Sequence, residues 1–303
     1  MANMCIKITS TALVIISVYP CAGFSTETPS IGLSLGYLSG EAKEYVYNGS
    51  EKLSELSWKT NNSAIIKAQG KYPLTSWLDI NFSGWSTIAS GSGSMIDQDW
   101  KIPKVDSSLN SVGHSPSKLN YANMYDVGVT SWLYQNENAK VGVLVGYTET
   151  RYSWTSHDGY FEDFDDQSQS GPMHGAVIGY KQNYKTPYIG ATAIFDVNNF
   201  SFTTAIKYST WVKAKDFDAH YLRKGFVSED KSNSSEMYTI SQEVAYKINN
   251  SLQVTAEVMF NQFKKTRADA RGVDDDGQAY FAPGDGGLGA YNYTISAGIK
   301  YNF

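Results

Sequence analysis

Residues Gly289 to Phe303 read GAYNYTISAGIKYNF. Tyr291, Tyr293, Ile295, Ala297, Ile299, Tyr301 and Phe303 alternate without a break with Asn292, Thr294, Ser296, Gly298, Lys300 and Asn302. Successive side chains of a strand point to opposite faces, so a strand here has one apolar and one polar face. A single strand of this kind could edge a soluble sandwich. The same alternation recurs along the chain, however, and a repeated apolar-out, polar-in period of two is the pattern of a barrel in a membrane.

Alternating segments run over 30–47, 53–71, 76–90, 121–136, 139–156, 174–197, 200–216, 235–249, 251–270 and 289–303. That predicts an all-β fold: an antiparallel transmembrane barrel of about ten strands, an even number as in single-chain bacterial barrels. Pro187 falls inside the sixth segment, where a bulge accommodates it. Connections near 72–75, 137–138, 198–199 and 250 are short, and those near 91–120, 157–173, 217–234 and 271–288 are long. Short turns belong in the periplasm and long loops outside. The closing Phe303 on an amphipathic strand looks like the terminal signal of outer-membrane barrels.

The N-terminus predicts the same compartment. Lys7, an apolar run over 12–19 and the small residues Cys21, Ala22 and Gly23 have the layout of a secretory signal, expected over 1–24, leaving 25–303 as one barrel domain. Both cysteines, Cys5 and Cys21, would leave with it. After residue 25 there is no run of ~18 apolar residues, so strands must do the spanning. Composition agrees, with 22 Tyr, 7 Trp and 26 Gly against 8 Pro. A net charge of −5, and no Lys/Arg-rich block, argues against nucleic acid as a partner.

Two clusters stand out at the loop side. Met95-Ile96-Asp97-Gln98-Asp99-Trp100 opens the first long connection, and Asp216-Phe217-Asp218-Ala219-His220 opens a later one. Extended backbone puts Asp97 with Asp99 on one face, and Asp216, Asp218 and His220 on one face. A carboxylate holds an imidazole in one tautomer and raises its basicity, while paired carboxylates fix and polarise a water. The same spacings also occur in solvated acidic loops. With only one histidine in the cluster, a zinc site is the less favoured reading. The acidic runs 162–166 and 274–276 lack EF-hand spacing and read as solvated loops. His114, His157 and His174 stand alone in expected loops and are given no role. Tyr147, Glu149 and Arg151 share a face near the outer end of a strand.

SGEAKEYVY at 39–47, GSGSMIDQDW at 91–100, LNYANMYD at 119–126, GYTETRYSW at 146–154, GYKQNYKTPYIG at 179–190, DFDAHY at 216–221 and the closing strand are ordered and spaced as in the omptins, and the chain resembles this family of Gram-negative outer-membrane proteases over nearly all of its mature length. The resemblance implies an aspartic endopeptidase site in an extracellular groove of a ten-stranded barrel. Asp218 and His220 match the family's catalytic dyad, and Asp97 and Asp99 its facing carboxylate pair. Glu44 and Asp216 match the pocket for a basic side chain before the cleaved bond, with Met95 lining the next subsite. The expected reaction is attack by a water activated by His220, with no acyl-enzyme, on polypeptides bearing Arg or Lys.

Tyr147, Glu149 and Arg151 match the family's lipopolysaccharide-binding motif, so lipopolysaccharide is expected to be needed for activity. This chain departs from that motif: Asn183 stands where an arginine is usual, and the later basic position is shifted by a gap near Lys231. No metal or other cofactor is expected, and the barrel is expected to be monomeric. The competing reading is a non-enzymatic adhesin or receptor that binds through its loops, for which a His–Asp pair facing two carboxylates has no use.

Overall fold

The computed structural model describes residues 28–100, 109–223 and 225–303. The expected signal over 1–24 lies outside the described residues. The strands are β1 (Ser30–Asn48), β2 (Glu51–Thr75), β3 (Leu78–Ala89), β4 (Ser92–Trp100), β5 (Leu109–Gln135), β6 (Ala139–Asp163), β7 (Gly171–Val197), β8 (Phe200–His220), β9 (Val227–Lys247), β10 (Leu252–Val273) and β11 (Ala279–Asn302). Every pairing is antiparallel, and β1 pairs with both β2 and β11, which closes the ring. β3 and β4 share one place in it, between β2 and β5, so eleven segments make a ring of ten.

The expected ten-stranded barrel is therefore present, but its strands are longer than the alternation indicated. Residues 92–100 and 109–120 are strand rather than loop, and the connections expected at 157–173, 217–234 and 271–288 shrink to 164–170, 221–226 and 274–278. Likewise 72–75 belongs to β2, and the turn falls at Ser76–Trp77. The cause is physical. Above the bilayer both faces of a strand meet polar surroundings, so pairing continues while the apolar period that advertises it fades. β5, at 27 residues, reaches roughly 60–70 Å along the barrel axis against an apolar band of about 25 Å.

The band is visible on the outer face. Ile31, Leu33, Leu35 and Tyr37 of β1, Val141, Val143 and Val145 of β6, and Ile295 and Ile299 of β11 are all exposed. Tyrosines Tyr37, Tyr125, Tyr147, Tyr291 and Tyr293 mark its upper edge, and Tyr72, Tyr134, Tyr246, Tyr301 and Phe303 its lower edge. Inside, charges are paired: Lys67 with Glu257 at 2.5 Å, Lys207 with Asp126 at 2.7 Å, and Lys300 with Glu243. These pairs border a polar cavity of about 510 Å³ in the lower barrel.

Above that cavity the lumen is plugged by aromatic rings. Trp58, Trp154 and Tyr180 stack with centroids 5.5–6.1 Å apart, Tyr152 lies on Trp154 at 5.4 Å, and Tyr184 lies on Phe263 at 3.9 Å. The plug depends on a bulge. In the lower half of β2 the odd residues Ser63, Ile65 and Lys67 face inward, whereas above it Leu56, Trp58 and Thr60 do. The extra residue is Asn62, left-handed at φ 53°, whose N–H donates to Ser39 Oγ at 2.9 Å. Opposite it the chain breaks between β3 and β4 at Gly91, where a Cβ would lie 1.9 Å from the Asn61 carbonyl oxygen.

A second bulge, at 209–212 of β8, moves the inward set from Lys207 and Ser209 to Val212, Ala214, Asp216 and Asp218. The residue pushed outward is Trp211. Pro187 of β7 lies in the matching gap of the β7–β8 ladder, while its pairing to β6 continues. Gly91→Ala is expected to lower the stability of the folded barrel by about 1–3 kcal/mol, because the added methyl must displace the Asn61 backbone. The check is the urea midpoint for loss of heat-modifiable gel mobility in wild type and variant.

Candidate active site

Site residues come from two facing walls of the upper barrel. On one wall, Asp97 of β4 pairs in register with Leu56 of β2, which pairs with Glu44 of β1. On the other, Asp216 pairs with Gln182 of β7, and Asp218 with Ser228 of β9. Glu44 is seven residues above Tyr37 at the edge of the apolar band, and Asp216 is five above Trp211, so the cluster stands clear of the membrane.

The structure brings together Asp97, Asp99, Asp218, His220, Glu44 and Asp216, and puts them on strands rather than in the loops expected to open at Met95 and Asp216. His220 Nε2 is 2.6 Å from Asp218 Oδ2, and Asp218 is buried. The imidazole packs edge-on against Phe226 at 5.0 Å. Asp97 accepts from Ser54 Oγ at 3.4 Å, and Asp99 Oδ2 accepts from Ser111 Oγ at 2.9 Å. Met95 is buried directly below Asp97, beside Trp58 in the register, and belongs to the aromatic floor.

Electrostatics follow from crowding acids in a shielded space. Burial first, and Asp99 second, push the Asp97 carboxyl up to about 7, while the charge of His220 pulls it down. Burial alone would lower the His220 value, but Asp218 in hydrogen-bond contact and Asp97 outweigh it, so the imidazole is raised above the ordinary histidine value. Glu44 is raised well above the carboxylate range by burial and then by Asp218, Asp216 and Asp230. Its sequence neighbour Lys43 does not neutralise it. That side chain points outward to Glu55, 2.7 Å away.

Asp230 was not foreseen. It lies on β9, buried, and its N–H donates to Asp216 Oδ1 at 2.9 Å. Its Oδ2 accepts from the Gly287 N–H at 2.8 Å. The other oxygen of Asp216 accepts from the Tyr180 hydroxyl at 2.9 Å, which in turn accepts from Gln182 Nε2 at 2.8 Å. The alternation of Ser228, Asp230 and Ser232 could have revealed it, given a hairpin register counted from the turn after His220.

Tyr147, Glu149 and Arg151 sit on the outer face of β6, away from this cluster. The Arg151 guanidinium lies over Tyr125 at 5.1 Å and its Nε is 3.7 Å from Glu149 Oε1. Asn183, opposite Arg151 on β7, donates to the same Glu149 oxygen at 2.9 Å. The acidic runs are turn-formers. Asp163 Oδ1 accepts from the N–H groups of Asp165 and Asp166, and Asp274 Oδ1 from those of Asp276 and Gln278. His114, His157 and His174 lie in strands, not loops.

A ring of ten antiparallel strands with an outward apolar band, carrying a His–Asp pair and a carboxylate cluster inside its loop end, defines a class: an outer-membrane β-barrel of Gram-negative bacteria with a polar site above the bilayer. Residues 25–303 match the Omptin family, and the chain belongs to it. It is 35% identical to "Protease 7" of Escherichia coli O157:H7 over 295 residues, with 92% of each chain covered. It is 34% identical to the "Plasminogen activator" of Yersinia pestis over 285 residues, covering 92% of this chain and 91% of the relative. Its fold superposes on the crystal structure of the outer membrane protease OmpT from Escherichia coli with a TM-score of 0.86, at 31% identity, covering 93% of this chain and 98% of that one. This chain is thus an outer-membrane protease rather than a non-enzymatic adhesin or receptor.

The raised carboxyls make stability depend on pH. A buried acid whose folded value lies near 7, above an unfolded value near 4, binds its proton more tightly when folded, so stability falls as pH rises through about 4–7. Denaturant midpoints are expected to be higher at pH 5 than at pH 8, and Asp230→Asn is expected to flatten this dependence. Urea titrations of refolded wild type and variant across that range are the check.

Proposed function

We propose that the protein is an endopeptidase that cleaves surface-accessible polypeptides after or between basic residues, at a site facing the cell exterior. The observation that carries this reading is the 2.6 Å contact of His220 with Asp218, beside an Asp97 whose charge acts on the same ring. His220 takes a proton from a water held between the two walls, and Asp218 orients the imidazole and stabilises its charged form. The hydroxide attacks the peptide carbonyl directly, without an acyl-enzyme. Asp97, with a proton available near pH 7, donates a hydrogen bond to the developing oxyanion, and Asp99 holds its partner acid and the water in place.

The basic side chain before the cleaved bond enters between Glu44 and Asp216, both buried acceptors. Two carboxylates there give charge-assisted hydrogen bonds to a guanidinium or ammonium. Lipopolysaccharide binds outside, at Tyr147, Glu149 and Arg151, and steadies the strand tops. Asn183 offers it only an amide. No metal takes part in the hydrolysis, and the active unit is a single barrel.

His220→Ala is expected to reduce peptide cleavage at least about 10²-fold with heat-modifiable mobility intact. Wild-type turnover by the folded variant would remove His220 as the base. Glu44→Gln combined with Asp216→Asn is expected to abolish the preference for Arg over Gln before the cleaved bond, read as kcat/KM for matched peptides. For the lipid, titration with rough lipopolysaccharide should activate Asn183→Arg at lower concentration than wild type and should barely activate Arg151→Ala. Identical curves for the three proteins would take the lipid off this face.

A further inference from the structure

Glu44, Asp216 and Asp230 come from three different strands, yet one carboxylate oxygen of each lies within 4.8 Å of the others. All three side chains are buried. The hydrogen bonds that hold two of them come from neutral donors: the Tyr180 hydroxyl and the Asp230 amide for Asp216, and the Gly287 amide for Asp230. Glu44 Oε2 is buried and accepts no hydrogen bond among the described residues. Asp230 is also given room by the chain around it, since a Cβ on Gly286 would fall 2.2 Å from one of its carboxylate oxygens.

One carboxylate can bind a guanidinium bidentately, and Glu44 with Asp216 already supplies two. A third acid at the same point leaves excess negative charge that a single substrate cation does not balance. The three acids repel one another, and the further charges that act on them are also carboxylates, Asp218, Asp97 and Asp269. An all-oxygen, three-carboxylate set with one acceptor unused is the donor chemistry of a hard divalent cation. Calcium, with metal–oxygen distances of about 2.3–2.6 Å, places opposed ligand oxygens up to about 5 Å apart and tolerates irregular geometry, and the spacing of this cluster falls within that span.

We propose that Glu44, Asp216 and Asp230 form a binding site for a divalent cation of the calcium class, and that the bound ion and the basic side chain of a substrate exclude one another. The exclusion rests on the pocket reading above; the binding does not. Asp230 is the residue that makes the difference, because without it the pocket holds only the two acids assigned to the basic side chain.

The test begins with Mn²⁺ binding to the refolded barrel in zwitterionic detergent without lipopolysaccharide, followed by the loss of the free-ion EPR signal. Wild type is expected to bind one Mn²⁺ that Ca²⁺ displaces, Asp230→Asn to bind at least tenfold more weakly, and Asp275→Asn, in an exposed loop acid, to match wild type. Should Asp230→Asn fail to fold, Glu44→Gln removes another ligand and is expected to give the same loss. No saturable binding to folded wild type, or equal binding by Asp230→Asn, overturns the site. In the kinetic arm, at constant ionic strength and with lipopolysaccharide saturating, Ca²⁺ is expected to raise KM for an Arg peptide without changing kcat, and to do so at least tenfold less in Asp230→Asn. Tight Mn²⁺ binding with an unmoved KM overturns the exclusion. A protein that binds Mn²⁺ as described but shows no preference for basic peptides overturns the pocket reading and leaves the cation site standing.

Discussion

The upper barrel is organised around one electrostatic constraint: six carboxylates, the buried Glu44, Asp216, Asp218 and Asp230 and the half-buried Asp97 and Asp99, crowd around a single imidazole, that of His220. In water such charges would separate. Here the strands to which they belong are fixed by ladder hydrogen bonds over 19 residues or more in β1, β8 and β9, so the backbone cannot relax the crowding. The side chains respond by titration and hydrogen bonding instead. Glu44, Asp97, Asp216 and Asp230 rise toward neutrality, and His220 is held to Asp218. A site that crowds acceptors in this way is poised for a cation, whether it arrives as a proton, a basic side chain or a metal ion.

What sustains the crowding is the layer beneath it. The stacked rings of Trp58, Tyr180 and Trp154 separate the acids from the polar lower lumen, and the Tyr180 hydroxyl ties this floor to Asp216. Aromatic rings suit the task because they fill the barrel's cross-section with few rotatable bonds and still present a polar tip. Lower down, Lys67, Lys207 and Lys300 neutralise the lumenal acids one by one. Pairing offsets charge in the spanning part, whereas in the site above, His220 is the one basic side chain among the described residues set against six acids.

The ten-strand barrel was legible because the outer face within the membrane must be apolar, which stamps the sequence with a period of two. Leu33, Val143 and Ile295 carry that stamp. Above the membrane nothing enforces it, and so β4 and the start of β5 looked like loop. The spacings of Asp97 with Asp99 and of Asp218 with His220 were legible as shared faces, but which face was not. Asn62 in β2 and the irregularity at 209–212 in β8 each insert one residue, and those insertions decide that Trp58, Asp216 and Asp218 point inward. Asp230 escaped for a related reason. Its role depends on a cross-strand neighbour, Asp216, fourteen residues away, and on the space left by Gly286.

Because the account makes Asp218 the source of the basicity of His220, the pH dependence of kcat/KM in Asp218→Asn tests it most directly. Cleavage needs the uncharged imidazole, so activity rises with pH as His220 loses its proton. Removing the carboxylate leaves burial, which disfavours the charged ring, as the stronger influence. The acid limb of the variant's profile is expected to shift to lower pH while its plateau falls. An acid limb that stays in place, or moves to higher pH, would contradict the account.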